Sequence, residues 1–167
     1  AFGAAIIAAL AQIIIPIGAV PITLQTFAVG LVATILKPRE ATLAATLYLI
    51  LGAIGLPVFA GGGGGLQAFF GPSAGYLLAY PFFALVTSAL AHAKTPIWKI
   101  FLAFVLGDAL VFVGGILSLH FLGKMGWSAA VAVGLTPFII PDLLKGLIVA
   151  LVTKPVLKAL KNHSYFN

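Results

Sequence analysis

The sequence predicts an all-α membrane protein with six transmembrane helices and both termini on the cytoplasmic side, and three observations lead to that fold class. Of the 167 residues, 62% are hydrophobic and 7% are charged, with a mean hydropathy of +1.22, whereas a soluble domain carries about 25% charged residues. The apolar residues form continuous runs such as IIAALAQIII, which are helical because lipid offers the backbone no partners and barrel strands alternate. Basic residues gather at alternate connections, which sets the orientation.

Proline, glycine and charged residues separate six hydrophobic segments, which are the predicted helices. In chain order they are Phe2–Ile15, Ile22–Leu36, Ala41–Ile54, Tyr76–His92, Ile97–Leu122 and Pro141–Leu160. The first segment ends at the PIGAVP interruption, the second at KPRE, and the third before the glycine-rich stretch. Several segments are shorter than the ~20 residues that a straight span needs.

The later helices are bounded by the same kinds of signal. A Gly-Pro-Ser turn precedes the fourth helix, and GKMGW follows the fifth. Pro141 begins the sixth helix, because its missing N–H is harmless at a first helical position. The preceding region Ser128–Ile140 is apolar but contains Pro137, so we expect a half-buried connection or a bent start to the sixth helix.

The basic residues determine the predicted orientation, because cytoplasmic connections are enriched in Lys and Arg. Seven of the nine cations lie in the connections after the second and fourth segments and in the C-terminal region: Lys37, Arg39, Lys94, Lys99, Lys154, Lys158 and Lys161. The glycine-rich stretch is therefore expected on the outer side. This pattern accounts for the net charge of +6 without nucleic acid as a partner, and the tail KPVLKALK is suited to contact with anionic membrane lipid.

Residues 1–167 are predicted to form a single membrane domain, since no repeat of solenoid length is visible. The chain has no cysteine, which excludes disulfides and thiolate metal sites, and neither a metal nor a cofactor is expected. The chain begins at Ala1 instead of methionine, and we expect a further N-terminal segment upstream.

Polar residues inside the apolar runs are the strongest functional signal, because a charge at the bilayer centre costs about 2.5–3.5 kcal/mol on insertion scales. Asp142 and Lys145 lie three residues apart on one helix face, near the outer end of the sixth helix. They form a structural ion pair or a ligand site, and a pair that opens towards a ligand satisfies both interpretations. Asp108 is better explained by an interhelical hydrogen bond. Gln25, near the outer start of the second helix, needs a partner, either a ligand or a neighbouring helix.

The stretch FAGGGGGLQAFFGPSAGY, from Phe59 to Tyr76, is too apolar for a soluble linker. Non-helical backbone at membrane depth is tolerated where protein buries it or where it lines a cavity. We therefore expect this glycine stretch to pack over the bundle, with backbone N–H and C=O groups available to a ligand. A loose outer loop is the alternative.

Two motif matches in the glycine stretch are rejected. The glycine run lacks the Gly-Lys-Ser/Thr ending of a phosphate-binding loop. Gly71–Gly75 matches G-x-S-x-G, but a nucleophile elbow needs a preceding strand that the sequence does not provide. Ser73 is instead predicted to be the N-cap of the fourth helix, and a membrane hydrolase that pairs Ser73 with His120 is kept as an alternative. His120 itself fits an interfacial position.

In order and spacing, PITLQTFAVGL, YLILGAIGLPVFAGGGGG, GPSAGYLLAY and PFIIPDLLKG resemble the BioY family, the biotin-binding substrate subunits (S components) of energy-coupling factor transporters. The resemblance extends from Pro21 to Gly146. It implies a biotin pocket near the outer surface, lids built from outer connections, and vitamin uptake across the plasma membrane of a prokaryote. It also implies a transmembrane coupling subunit and two ATPases as partners, since nothing in the chain resembles an ATP site.

The resemblance assigns individual residues to the ligand site. Those that match family motifs are Asp142 and Lys145 of Asp-x-x-Lys, Gln25 of Thr-Leu-Gln, and Gly61, Gly62 and Tyr76 of the glycine loop and the following Gly-Tyr. Gly63 and Leu77 stand where some members carry asparagine and arginine.

Biotin is an apolar bicycle with a ureido group at one end and a carboxylate on an apolar chain, so its pocket needs apolar walls, an acceptor, donors and a cation. We assign Asp142 as the acceptor for the ureido N–H groups, Lys145 as the cation for the carboxylate, and Gln25 as a donor. Phe59, Phe69 and Tyr76 are the expected walls.

The first helix carries small residues at helical spacing, in the pairs Ala4/Ala8 and Ala5/Ala9, which allow another helix to approach closely. Ordinary packing within the chain is the alternative. In the S components that this sequence resembles, alanines at this spacing contact the coupling subunit, so we expect these four alanines to bind that partner.

The predicted function is capture of biotin at the outer face for import driven by partner ATPases, and the chain is not expected to be an enzyme. Three alternatives stay open at this point. They are an S component for another vitamin such as riboflavin or thiamin, an intramembrane hydrolase that uses Ser73, and a structural subunit whose Asp142–Lys145 pair satisfies itself.

Overall fold

The structure is a computed structural model that describes residues 1–16, 22–91 and 94–160. Within these ranges the chain is mostly helical, as predicted. The helices are α1 Phe2–Leu10, α2 Gln25–Ile35, α3 Pro38–Ala53, α4 Ala74–Leu90, α5 Ile97–Phe121, α6 Trp127–Gly134 and α7 Ile139–Leu160. A short antiparallel ribbon pairs β1 (Ile14–Ile15) with β2 (Ile22–Thr23).

Each of the six predicted segments contains one helix, and the clearest departures are at the end of the first segment and the start of the second. The end of the first segment and the start of the second form the ribbon, with Ile14 opposite Thr23 and Ile15 opposite Ile22. Their β-branched side chains favour extended backbone, which explains why the helices stop short of them. His92, the predicted end of the fourth segment, lies outside the described residues.

The region before the sixth segment is helical, and it provides the bent start that was one of the two expectations. The short helix α6 is followed by a 3₁₀ turn over Thr136–Phe138, which leads directly into α7. Helix α7 begins at Ile139, two residues earlier than predicted. Pro141 therefore lies in the first turn, where its missing N–H removes no intrahelical bond.

The helices have the polarity of a membrane bundle. Within the described ranges, two helical runs are long and apolar enough to cross a membrane, Ile97–Phe121 and Trp127–Leu160, and the second joins α6, the 3₁₀ turn and α7. Helix α7 buries Asp142 and Lys145 and exposes a row of leucine and isoleucine side chains: Leu143, Leu144, Leu147, Ile148 and Leu151. A water-facing helix has the opposite arrangement.

Contacts between helix ends define one end of the bundle, which we call the basic end because Lys37, Lys99 and Lys158 lie on the helix termini that meet there. Gly3 of α1 packs against Leu36 at the end of α2. Leu36 O accepts a hydrogen bond from Ser88 Oγ of α4 at 2.6 Å. In α7, Thr153 Oγ1 donates to Thr34 Oγ1 of α2 at 2.9 Å. The first turn of α1, the last turns of α2 and α4, and the C-terminal half of α7 therefore share this end.

A buried phenylalanine holds four helices together between the two ends. Phe104 of α5 is fully buried and meets Phe83 of α4 edge-to-face, with ring centroids 5.2 Å apart. The absence of a Cβ at Gly30 of α2 and Gly146 of α7 leaves room for this ring. This packing holds α5 against α7 at Gly146, the residue after Lys145, and therefore next to the candidate site.

Candidate functional site

A cavity of about 250 Å³ lies at the end of the bundle opposite the basic end, where α2 and α4 begin. This volume is slightly below the usual range for small-molecule sites, about 300–1,000 Å³. Its wall is formed by α2, α4, α5, α7 and the glycine stretch: Thr23, Gln25, Thr26, Phe59, Ala60, Gly63, Gly64, Ala68, Ser73, Tyr76, Leu77, Tyr80, Val111, Phe112, Phe138, Asp142 and Lys145. The cavity is therefore largely apolar and aromatic, with a few polar groups.

Asp142 and Lys145 form a buried ion pair on this wall. Lys145 Nζ lies 2.9 Å from Asp142 Oδ1 and donates hydrogen bonds to Thr23 O at 2.6 Å and Thr26 Oγ1 at 3.1 Å. These contacts hold the ammonium against the start of α2. Asp142 Oδ1 contacts the ammonium without hydrogen-bond geometry and has no other partner among the described residues. The pair thus stands beside a void and keeps an unused acceptor there.

Gln25 is fixed by a network of hydroxyl groups. Its Nε2 donates to Tyr48 OH at 2.7 Å, and its Oε1 accepts from Tyr80 OH at 3.2 Å and from Thr23 Oγ1 at 3.1 Å. The buried amide therefore finds its partners on neighbouring helices, which was one of the two expectations. An amide nitrogen has two N–H donors, and one of them is left for a molecule in the cavity.

The glycine stretch packs over the bundle, as predicted, in two 3₁₀ turns, Ala60–Gly62 and Leu66–Phe69. It is tied to α1 by Gly61 N, which donates to Ala11 O at 3.2 Å, and by Gln12 Nε2, which donates to Phe59 O at 3.2 Å. Gly65 N donates to the end of α3 at 2.6 Å. Gly61, Gly62 and Gly65 have positive φ, which glycine adopts without strain.

Gly61 and Gly62, the two glycines assigned to the ligand site, are not among the residues that line the cavity. Gly61 and Gly62 lie against α1 and its Gln12 side chain, while Gly63 and Gly64, the next residues of the loop, line the cavity.

The aromatic residues predicted as walls divide into lining and supporting roles. Phe59 and Tyr76 line the cavity. Phe59 is held edge-to-face between Tyr48 and Phe69, with centroid distances of 5.5 and 5.8 Å, so Phe69 supports the wall from behind. Tyr76 OH donates to Gly134 O of α6 at 2.5 Å, which connects the cavity wall to that helix.

Sequence reasoning missed several residues of the wall. Tyr80 follows Tyr76 by four residues on α4, so the shared helix face was a usable signal. Phe112 and Phe138 come together only through packing of α5 against the 3₁₀ turn, with ring centroids 6.4 Å apart. No local sequence pattern predicts that contact. Asp108, expected to make an interhelical hydrogen bond, is buried in α5, and its Oδ1 has no hydrogen-bond partner among the described residues.

The alanines of α1 face in different directions. Ala4 is 1% exposed and belongs to the core, so packing within the chain explains it and it has no surface to offer a partner. Ala8 is half-buried, whereas Ala5 and Ala9 are exposed. Of the two predicted pairs, Ala5/Ala9 is the one whose side chains are exposed on the outside of the helix bundle.

The residues of the hydrolase alternative have separate structural roles. Ser73 occupies the N-cap position of α4, as predicted, although its side chain makes no capping hydrogen bond. His120 Nδ1 lies 2.7 Å from Met125 O, and its ring stacks on Trp127 at 3.8 Å. The imidazole is thus engaged at the end of α5 with the connection that follows.

The fold and the site define a helical membrane protein with a small-molecule cavity between its helices. The model of the BioY family matches residues 1–162, and the chain belongs to that family, which confirms the resemblance.

Individual relatives agree with that membership. The biotin transporter BioY2 of Lactococcus lactis subsp. cremoris (strain MG1363) is 44% identical over 168 residues, which cover 99% of this chain and 92% of that protein. The biotin transporter BioY of Thermotoga maritima is 39% identical over 142 residues, covering 85% and 83%. A crystal structure of the S-component for biotin from an ECF-type ABC transporter matches with a TM-score of 0.86 at 28% identity, over 95% of this chain and 88% of that one.

Proposed function

We propose that this chain is the biotin-binding membrane subunit of a vitamin uptake transporter, which captures biotin at the outer face for import driven by partner ATPases. The observation that carries the proposal is the buried Asp142–Lys145 pair on the wall of an aromatic cavity, in a member of the BioY family. Its relatives are named biotin transporters.

The geometry of the pair places both charged groups at the same end of biotin. Asp142 and Lys145 are 2.9 Å apart, whereas the ureido group and the carboxylate lie at opposite ends of the ligand. We therefore revise the assignment made from sequence. Asp142 accepts from a ureido N–H, and Lys145 donates to the ureido carbonyl. Gln25, which shares Thr23 as a neighbour with Lys145, supplies its remaining N–H to the same end.

The rest of biotin is apolar and meets the aromatic wall. Phe59 and Tyr76 cover the bicycle and the chain, and Phe69 supports Phe59. Gly63 and Leu77, the two departures from some family members, both line the cavity without a polar side chain. The carboxylate end therefore lies against the part of the glycine stretch that lines the cavity, at Gly63 and Gly64, whereas the N–H groups of Gly61 and Gly62 already donate to Ala11 O and Phe59 O.

We further propose six membrane crossings with both termini in the cytoplasm, in a single domain over residues 1–167 of a multi-pass plasma-membrane protein of a prokaryote. In this count, one crossing is formed by the continuous run of α6, the 3₁₀ turn and α7. The start of α1 and the C-terminal half of α7 meet at the basic end, which supports this topology because basic ends face the cytoplasm. The cavity then opens to the outside.

The proposed partners are membrane lipid, a transmembrane coupling subunit and two ATPases. The structural relative is the S-component for biotin of an ECF-type ABC transporter, which supports this set. Ala5 and Ala9 are exposed on α1, which leaves a smooth surface for the coupling subunit.

The other functions open at the sequence level find less support. Membership of a transporter family makes the chain a transport subunit and not an enzyme, and His120 is already engaged with Met125 and Trp127. A purely structural pair would need no void beside it, whereas Asp142 and Lys145 line one.

Titration calorimetry on the detergent-purified chain with biotin, riboflavin and thiamin tests the proposal. We expect saturable binding of biotin and no heat with the other two vitamins. Biotin methyl ester tests the revised assignment, because it keeps the ureido group and loses the carboxylate charge. A chain that binds riboflavin or thiamin in preference to biotin, or no vitamin at all, contradicts the proposed function. A Lys145→Met protein that loses affinity for biotin but binds the ester as tightly as the parent does would return Lys145 to the carboxylate.

A further inference from the structure

The proposed biotin site leaves one buried acid without a role. Asp108 lies within α5 and is 4% exposed, and its Oδ1 has no hydrogen-bond partner among the described residues. It does not line the cavity. A buried polar atom in this state requires an explanation, because burying a charge without a partner is strongly unfavourable.

Packing between α5 and α7 brings Asp108 opposite Asp142. Two ring contacts flank this position, Phe104 against Gly146 and Phe112 against Phe138. Asp108 lies four residues from each phenylalanine on α5, and Asp142 lies four residues from each of their partners. The two acids thus occupy facing positions in the middle of the same helix–helix contact, and each has a buried Oδ1 without a hydrogen-bond partner among the described residues.

Two carboxyl groups that face each other in a buried helix contact need one proton between them, because ionised carboxylates repel each other and only accept hydrogen bonds. Asp142 is the acid paired with Lys145 at 2.9 Å, and an ion pair needs it ionised. The proton therefore belongs on Asp108, which then donates to Asp142. With Lys145 charged, the three groups have no net charge.

We propose that Asp108 is a positioning residue of the ligand site, a protonated acid that donates a hydrogen bond to Asp142 and holds its carboxylate towards the cavity. The inference rests on the proposed function for the identity of the ligand. Loss of this proton places two like charges side by side, which moves Asp142 out of position and weakens biotin binding as the pH rises.

Other titratable groups surround this position. Asp142 and Lys145 face it from α7, Tyr80 faces it from α4, and Tyr48 of α3 and Tyr76 of α4 lie near Tyr80. A pH effect that arises from these other groups persists in variants that change only Asp108. The difference between variants therefore isolates the Asp108 proton.

Infrared spectroscopy of the ligand-free protein tests the proton directly. The chain has three acidic side chains, Glu40, Asp108 and Asp142, so the carbonyl stretch of a protonated carboxyl group is assignable. We expect this band in the parent and in the control Glu40→Gln, and its loss in Asp108→Asn. A parent without the band, or an Asp108→Asn protein that keeps it, overturns the proposal.

Biotin titrations across pH test the positioning role with Asp108→Asn and Asp108→Leu. The asparagine amide donates to Asp142 at every pH, so this variant loses less affinity than the parent as the pH rises. Leucine cannot donate, and we expect its Kd to increase about tenfold to a hundredfold at neutral pH, with partial rescue in the asparagine protein. Coincident pH curves for the parent and Asp108→Asn, or an Asp108→Leu protein that binds like the parent, contradict the proposal. A parent that binds no biotin overturns the proposed function instead, and the infrared result still decides the state of Asp108.

Discussion

Replacement of Lys145 by methionine removes the charge from the candidate site while nearly conserving the length of the side chain. In the parent, Lys145 Nζ contacts Asp142 Oδ1 at 2.9 Å, Thr23 O at 2.6 Å and Thr26 Oγ1 at 3.1 Å. The variant leaves the Asp142 carboxylate buried without its cation. It also removes the donor that we assign to the ureido carbonyl.

The structure sets the size of both effects. Removal of one partner from a buried ion pair costs about 3–5 kcal/mol of folding free energy. Because the two side chains are 10% and 7% exposed and line a cavity, we expect the lower end, about 3 kcal/mol. For binding, loss of a hydrogen bond from a charged group costs about 1.5–3 kcal/mol, which raises the Kd for biotin at least tenfold.

Thermal unfolding in detergent and biotin titration measure the two effects, and Asp142→Asn completes a double-mutant cycle. The double variant Asp142→Asn with Lys145→Met should recover part of the stability lost by Lys145→Met, because no uncompensated charge remains. Lys154→Met is the matched control, since Lys154 is an exposed lysine of the same helix, and its melting temperature and Kd should stay close to those of the parent. Strictly additive stability losses, or a Lys145→Met protein with parental affinity, would refute the reasoning.

Two further predictions concern the cavity wall and the partner surface. A Cβ at Gly115 would overlap the ring of Tyr76, so Gly115→Ala should displace this wall residue and raise the Kd for biotin severalfold. In the control Gly126→Ala the new Cβ meets no neighbouring atom, and this protein should bind biotin like the parent. Equal affinities of the two variants in calorimetry would contradict the assignment of Tyr76 to the wall. Ala5→Trp combined with Ala9→Trp should abolish co-purification with the coupling subunit while biotin still binds, and a loss of biotin binding in the isolated variant would count against a surface role.

The helices were predictable from sequence because composition and punctuation act locally. Continuous apolar runs admit only helices in lipid, and the KPRE and GPS interruptions mark real boundaries. The ribbon was not predictable in this way, since Ile14–Ile15 continues the apolar run of α1 and pairs with Ile22–Thr23 only through tertiary proximity. Periodicity cannot distinguish a short apolar strand from the end of an apolar helix.

The candidate site was predictable to the extent that its residues are costly to place in a membrane. Asp142, Lys145 and Gln25 stand out for this reason, and all three line the cavity. Tyr48 and Tyr80 orient the Gln25 amide from two other helices, and that network depends on how α2, α3 and α4 pack. The position of Asp108 opposite Asp142 likewise follows from the contact between α5 and α7, and not from any local pattern.

The charge balance of the site also explains which part of a ligand it can take. Lys145, ionised Asp142 and protonated Asp108 together carry no net charge, so a neutral polar group enters without leaving a buried charge uncompensated. A ureido group offers N–H donors to Asp142 and a carbonyl to Lys145. Each of the two protein groups therefore finds a hydrogen-bond partner on the ligand. A carboxylate at the same place would lie beside Asp142 and be repelled by it. On the proposed assignment, the buried acids therefore select the neutral end of biotin and direct its charged end towards the glycine stretch.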